Sequence, residues 1–393
     1  MMAAIAARDN HHQVFLIEKN QKLGKKLFIT GKGRCNVTNG KDISEFFDYI
    51  PTNPYFLYSS LYSFTNEDVI KFFESRGIKL KQERGGRIFP ASDKSSDIIK
   101  GLEGALKEKE INILLNDGVK KIESNGNRVV SVILDSGEKI YCDHLIMATG
   151  GASYPQTGSS GDGYKFSKQL GHKIIDIKPS LVPIEINESW IKDVQGLSLR
   201  NIQLTLKNSA NKIIFKEQGE MLFTHFGISG PLVLSASSFI KPKEVYEISL
   251  NLKPALNEKE LDLRIQKDFS KYNNKDFKNA LNDLFPKKLI PVMIKLSNIP
   301  EDQKVNTITK EQRKNFVNLI SSLTMKVKGL RKVEEAIVTS GGVDTKEIDP
   351  ATMKSKIIDN LSFAGEVIDV DAFTGGYNVQ IALSTGYIAG SKI

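Results

Sequence analysis

Apolar residues in this chain come in short blocks separated by glycine-rich polar stretches, and the period inside each block shifts along the sequence. Ala3, Ala4, Ala6 and Ala7 are small, strong helix formers and read as a helix. Gln13-Val14-Phe15-Leu16-Ile17, ending at Glu18, reads as a buried strand. A helix is predicted over 66–76, capped by Thr65 or Asn66, with Val69, Phe72 and Phe73 on its apolar face and Gly77 as its stop. A second runs from about Ser95 to Glu108, and Gly85-Gly86 between them reads as a tight turn joining two short strands. Strands at 119–123, 129–134 and 139–141 are separated by Asn125-Gly126 and Asp135-Ser136-Gly137, which are hairpin signals. This meander runs into Leu145-Ile146-Met147-Ala148-Thr149-Gly150-Gly151, a buried strand stopped by two glycines.

The texture changes at about Pro179. Strand-like segments at 182–186, 202–206, 213–215 and 245–252 suggest a small barrel or sheet. Residues 257–337 read as helical and lysine-rich, with a helix at 309–324, and Gly341-Gly342-Val343 restores loop texture. The stretch 361–369 reads as a strand feeding a turn, and a helix starts after Gly375-Gly376.

With 393 residues, the chain is long enough for two or three domains. Its 40% hydrophobic and 26% charged residues are ordinary for a soluble globular protein. No stretch approaches the roughly 20 apolar residues of a membrane helix, and the N-terminus lacks the pattern of a secretory signal. Two cysteines, Cys35 and Cys142, exclude a disulfide framework or a four-cysteine metal site, and no metal site is expected. A reducing cytoplasm is the simplest location. The net charge of +9 is carried by lysines scattered among acids, as in Asn257-Glu258-Lys259-Glu260, which reads as a solvated surface. It suits an anionic cofactor or substrate; neither a nucleic-acid nor a membrane partner is expected, and the oligomeric state is not legible.

Four constellations carry chemistry. Glu18, at a strand end, stands where a doubly wound nucleotide domain accepts hydrogen bonds from a ribose, or is simply an exposed acid. A Gly-x-Gly-x-x-Gly loop belongs roughly 20 residues earlier. That position falls just before Met1, so the expectation is a chain without its first strand and pyrophosphate loop, with weakened cofactor binding and an unpaired parallel strand. The second constellation is Thr30 to Asn39. Gly31 and Gly33 permit close backbone approach, Arg34 offers a fork to phosphate or a flavin carbonyl, and Asn36, Thr38 and Asn39 add neutral donors and acceptors. No Walker-type phosphate loop occurs. The third is Ala148-Thr149-Gly150-Gly151. The fourth is Ala364-Gly365-Glu366-Val367-Ile368-Asp369-Val370-Asp371 followed by Gly375-Gly376-Tyr377-Asn378, where a helix start can set N–H groups against an anion or a flavin edge.

Together, Gly31 to Asn39, Ala148 to Gly151 and Gly365 to Asn378 resemble the BaiN-type, aminoacetone-oxidase-like family of NAD(P)/FAD-dependent oxidoreductases. Thr224 to Pro231, Gly341-Gly342-Val343 and Met353 to Lys356 fit the same pattern, so the resemblance covers nearly the whole chain. It implies an α/β fold: a glutathione-reductase-type, Rossmann-like FAD-binding domain from 1–180 and 335–393, interrupted by a β-barrel-like insert at 181–255 and a helical subdomain at 256–334. It also implies that Glu18 holds the adenosine ribose, that Val119 meets adenine through its backbone, and that Asp371 with Gly375 to Asn378 lies along the ribityl chain and ring. Lys25, Gly31, Gly33, Arg34, Cys35, Asn36, Thr149, Gly150, Gly151, Gly365 and Glu366 complete the implied cofactor set. The departure is the absent N-terminal glycine loop.

His225 is the best titrating candidate for proton transfer, though a histidine bonded to the backbone fits equally. Arg34, Arg87 and Tyr377 are candidates to orient substrate or flavin. Cys35 has no Cys-x-x-Cys partner and reads as a packed thiol. The resemblance implies an FAD-dependent reductase using NAD(P)H on a small organic substrate such as an enone. An oxidase of small amines, an RNA-associated protein with a basic insert, and an inactive truncated remnant remain as other readings.

Overall fold

In the computed structural model the helix Asn66–Glu74 opens with a reciprocal cap. Asp68 N–H donates to Thr65 Oγ1 at 3.2 Å, and Thr65 N–H donates to Asp68 Oδ2 at 2.9 Å. Val69 and Phe73 then turn inward one helical turn apart and are fully buried. The structure describes residues 1–8, 12–241 and 243–393. Within them the chain divides into two compact units, Met1–Ser180 with Lys332–Ile393, and Leu181–Arg331.

The first unit is α/β. Strand Phe15–Glu18 pairs in parallel with Asn112–Leu115, and Leu361–Phe363 pairs in parallel with Leu145–Met147. Parallel pairing between strands this far apart in sequence needs long crossovers, which the helix Ser95–Glu108 and the interrupting unit supply. Among the described residues these are two separate two-stranded sheets. The first is not buried on both faces as its apolar run predicts, since Phe15 is 43% exposed. The meander forms as read, with strands Val119–Asn125, Arg128–Leu134 and Lys139–Tyr141.

The final helix, Tyr377–Ser391, has almost no polar face and is buried nearly throughout. It packs on the opening helix Met2–Arg8, and the contact explains the alanines there. A Cβ on Gly390 would collide with the Ala3 carbonyl, so small residues on both helices set a close approach.

Gly341 and Gly342 lie inside a strand, not a loop. Val338–Val343 pairs antiparallel with Ile174–Ser180. Side chains at these two positions would strike the backbone of Asp176 on one side and of Val367 on the other. The glycines therefore mark backbone crowded from two directions rather than a turn.

The second unit is a closed, antiparallel six-stranded barrel with helices attached. Its strands, in order around the barrel, are Ile184–Ile186, Gly227–Ser229, Ile213–Phe223, Ser198–Asn208, Tyr246–Asn251 and Leu323–Leu330. Leu199, Leu204, Leu206, Phe223, Ile248, Leu250, Leu323 and Met325 fill one core with Leu261, Ile265, Phe316 and Ile320 of the helices. The expected division into a barrel at 181–255 and a helical subdomain at 256–334 does not hold. The closing strand follows the helices, where Leu323, Met325 and Val327 alternate with Thr324, Lys326 and Lys328 in strand period.

Candidate flavin site

The motif segments converge in the first unit. Glu18 Oε1 accepts from the N–H and the Nδ2 of Asn20 at 2.9 and 2.7 Å. Asn20 Nδ2 also donates to the Thr157 carbonyl at 3.0 Å, and Lys25 Nζ donates to Asn20 Oδ1 at 2.9 Å. Asn20 thus joins the strand end, the short helix Lys25–Ile29 and the loop that follows Gly150-Gly151. Val119 begins its strand nearby: a Cβ on the preceding Gly118 would lie 3.2 Å from Lys19 Cβ.

Lys26 joins three motifs. Its Nζ donates to Ser153 Oγ at 2.6 Å and to Glu366 Oε2 at 2.8 Å. The other Glu366 oxygen accepts from Thr339 N–H at 2.7 Å and from Ser153 Oγ at 3.3 Å. Gly151 faces this carboxyl so closely that a Cβ would lie 2.9 Å from it, and Gly365 N–H is taken by Thr385 Oγ1 at 3.0 Å. Thr149 precedes Gly150, whose φ of 74° is the left-handed conformation that glycine adopts without strain.

The Thr30 to Asn39 run meets the C-terminal motif directly. Buried Asn39 donates through Nδ2 to the Gly375 carbonyl at 3.0 Å and the Gly85 carbonyl at 3.1 Å. Thr38 Oγ1 donates to Gln380 Oε1 at 2.6 Å. Gly376 has φ 101° and sits where any Cβ would strike the Thr38 carbonyl. Gly31, with φ 57°, and Gly33, with φ 84°, shape the turn before Arg34.

Other candidates have different surroundings. Tyr377 is buried, stacked 4.6 Å from Tyr49 and edge-on to Phe46 at 4.9 Å, so its ring packs the core. Asn378 closes its own turn, accepting from Ala372 N–H at 2.9 Å and donating to Ala372 O at 2.6 Å. Cys35 is fully buried, and burial pushes its thiol up to about 12, so it stays protonated. The Arg34 guanidinium is held by Glu83 and Asp93 and lies over the Phe89 ring at 4.1 Å. His225 is exposed in the turn before Gly227–Ser229 of the second unit, edge-on to Phe226 at 4.9 Å. It is not among the residues that gather the motifs.

Two buried acceptors in these segments, Asn36 Oδ1 and Asp371 Oδ1, have no hydrogen-bond partner among the described residues. The other Asp371 oxygen accepts from Ser180 Oγ at 2.6 Å. Burial, opposed by the Asn53 amide and reinforced by Asp371, raises the pKa of neighbouring Asp369. A flavin carries donors that orphaned acceptors need, in its ribityl hydroxyls and its ring N–H, so the residues fit FAD. Asn20, Lys26, Ser153 and Thr339 were not singled out in the sequence. Lys26 was masked by its neighbour Lys25, and Thr339 by lying outside every glycine motif.

Comparison with known proteins gives the family. The chain matches the model of the HI0933-like protein Rossmann domain over residues 1–392. It is 30% identical over 397 residues to a 3-dehydro-bile acid delta(4,6)-reductase of Clostridium scindens, covering 99% of this chain and 95% of that protein. It is 32% identical over 384 residues to a ribosomal RNA dihydrouridine synthase of Haemophilus influenzae, covering 97% and 92%. Among solved structures, the open conformation of a flavocytochrome c3 fumarate reductase superposes with a TM-score of 0.50 at 17% identity, over all of this chain and 75% of that one, which shows a shared fold. The chain belongs to the HI0933-like family of BaiN-type, FAD-dependent flavoprotein oxidoreductases.

Proposed function

We propose that this protein is an NAD(P)H-linked reductase of a carbon–carbon double bond conjugated to a carbonyl. One observation carries the reading: two relatives similar over nearly the whole chain have names that both describe saturation of such a bond, in a 3-dehydro bile acid and in uridine. When bound, FAD supplies a two-electron carrier between the donor and the β-carbon of the acceptor. The chain's own residues position it. Lys26 neutralises Glu366 and holds it against Ser153 and Thr339. Asn36 and Asp371 offer free acceptors to the cofactor, and Asn39 fixes the Gly375-Gly376 turn beside the Thr30 to Asn39 run. Glu18 and Val119 are assigned to the adenosine end.

Anaerobic mixing tests the reading. NADPH or NADH should bleach the visible flavin band, and an enone should restore it while becoming the saturated ketone. Bleaching by a small primary amine, with no response to NAD(P)H, would overturn it in favour of an amine oxidase. A second reading has its own support: the substrate is a uridine within RNA. Residues 181–331 carry 24 Lys/Arg against 16 Asp/Glu, so nearly the whole positive surplus of the chain lies in the barrel unit. Such a surplus suits a polyanion.

A further inference from the structure

The first unit is almost neutral, with 31 Lys/Arg against 30 Asp/Glu, yet cations crowd one corner of it. Two guanidiniums share a single buried ring: Arg34 lies 4.1 Å and Arg87 5.9 Å from the centre of Phe89. Both draw on the same acid, for Arg34 is paired with Glu83 and Arg87 Nη2 lies 4.0 Å from Glu83 Oε2. Asp93 is shared between Arg34 and Lys81, at 2.6 Å from each. Arg84 stands two residues past Gln82, on the turn itself, and among the described residues it has no carboxylate partner. Four cations, Arg34, Lys81, Arg84 and Arg87, therefore share two acids. These pairs are partly exposed and add little stability, so packing requirements do not account for the excess.

The corner is also open and firmly anchored. Arg87 Nε donates to the Arg84 carbonyl at 3.0 Å, so the two arginines bracket Gly85-Gly86. Asn39 grips the Gly85 carbonyl with the same amide that holds Gly375, tying the turn to the flavin segments. Gly33 and Gly85 both have free space where a side chain would stand. Nearby, the backbone of Asn36 lies 3.1 Å from a Cβ on Gly31, which also touches Phe89.

We propose that Arg84 and Arg87, on either side of Gly85-Gly86 with Arg87 braced over Phe89, form an oxyanion-recognition site that binds a phosphate or carboxylate group of the substrate or of the electron donor. Planar guanidiniums match the two oxygens of either group, and the aromatic ring holds Arg87 in place. The site rests on the reductase reading, because its value is to orient a reactant beside the flavin segments.

Three matched pairs separate the sources of the oxyanion: NADPH against NADH, uridine 5′-monophosphate against uridine, and 4-oxo-2-pentenoic acid against its methyl ester. Dissociation constants are measured by titration calorimetry on the FAD-loaded protein. In at least one pair the member with the extra oxyanion should bind roughly tenfold to a hundredfold tighter, the weight of charge-assisted hydrogen bonds. R84Q/R87Q should erase that difference and leave the counterpart's affinity unchanged, while R84K/R87K, which keeps charge without the fork, should fall between. Exposed Arg84 alone, as R84Q, serves if the double variant does not hold flavin. No difference in any pair for the parent, or a difference that survives in R84Q/R87Q, overturns the proposal. Failure of the reductase reading would look different: enones would not reoxidise the reduced flavin, whatever the matched pairs show.

Discussion

The two units differ in where their charge and their glycines act. In Leu181–Arg331 the surplus of eight positive charges is spread over an apolar barrel, and Gly329 has open space around it. In the unit formed by Met1–Ser180 and Lys332–Ile393 the net charge is +1, but single cations and glycines are fixed between motifs: Lys26 between Ser153 and Glu366, Gly376 against Thr38. Net charge read over the whole chain therefore describes the barrel unit and says little about the flavin site.

The difference is most sharply broken at glycine. Gly376→Val places a side chain at φ 101° into the Thr38 carbonyl. It should cost about 3 kcal/mol from strain and overpacking and strip FAD from the protein. Gly329→Ala in the barrel should leave both the melting temperature and the visible spectrum at parent values. Calorimetry and absorbance on the two variants check this, and equal losses would show that the contrast is not real.

A smaller effect concerns the dispersed charge. Lys326 and Lys328 are exposed on the closing barrel strand. If that unit meets RNA, K326Q/K328Q should lower the slope of log affinity against log salt for single-stranded RNA by about 1–1.5. The same change at Lys120 and Lys121 in the meander should leave the slope alone, and fluorescence anisotropy across a salt series measures both.

The smallest is a pH effect confined to the flavin unit. Burial, aided by Lys354 and Arg128, pushes His144 down to about 4 from its ordinary 6.5, and its Nε2 lies 2.8 Å from Ser362 Oγ. The unfolded chain then binds the extra proton first. The stability due to neutral His144 is complete above about pH 6.5 and is lost as pH falls toward 4. Because the ring is partly exposed, the loss should be only about 1 kcal/mol, a shift of a few degrees in melting temperature. His144→Gln should flatten that part of the pH profile in thermal melts.

Much of this was legible in the sequence where local chemistry decides structure. The Thr65 cap, the helix Ser95–Glu108, the meander and the helix after Gly376 depend on neighbours within a few residues. The glycine motifs of the flavin site were legible for a different reason, since glycine marks the backbone positions that crowd or turn even where the crowding partner, such as Thr38 or Glu366, is distant. What was hidden depends on distant partners. Lys26 gained its role only when Glu366, 340 positions away, folded against it. Gly341-Gly342 look like a loop until Asp176 and Val367 are brought alongside. Arg34 looks free until Glu83 and Asp93 close on it, and the strand Leu323–Leu330 looks like part of a helical stretch until the barrel needs its sixth strand.

Lys26 ties three separated segments of the unit that would grip a single FAD. Titrating FAD into the parent, K26M and K26R and following the visible band tests it most directly. The expected result is one FAD per parent chain, affinity weakened about tenfold or more in K26M as Glu366 loses its cation, and near-parent affinity in K26R. A parent that takes up no FAD, or a K26M protein that binds it as tightly as the parent, would contradict the account.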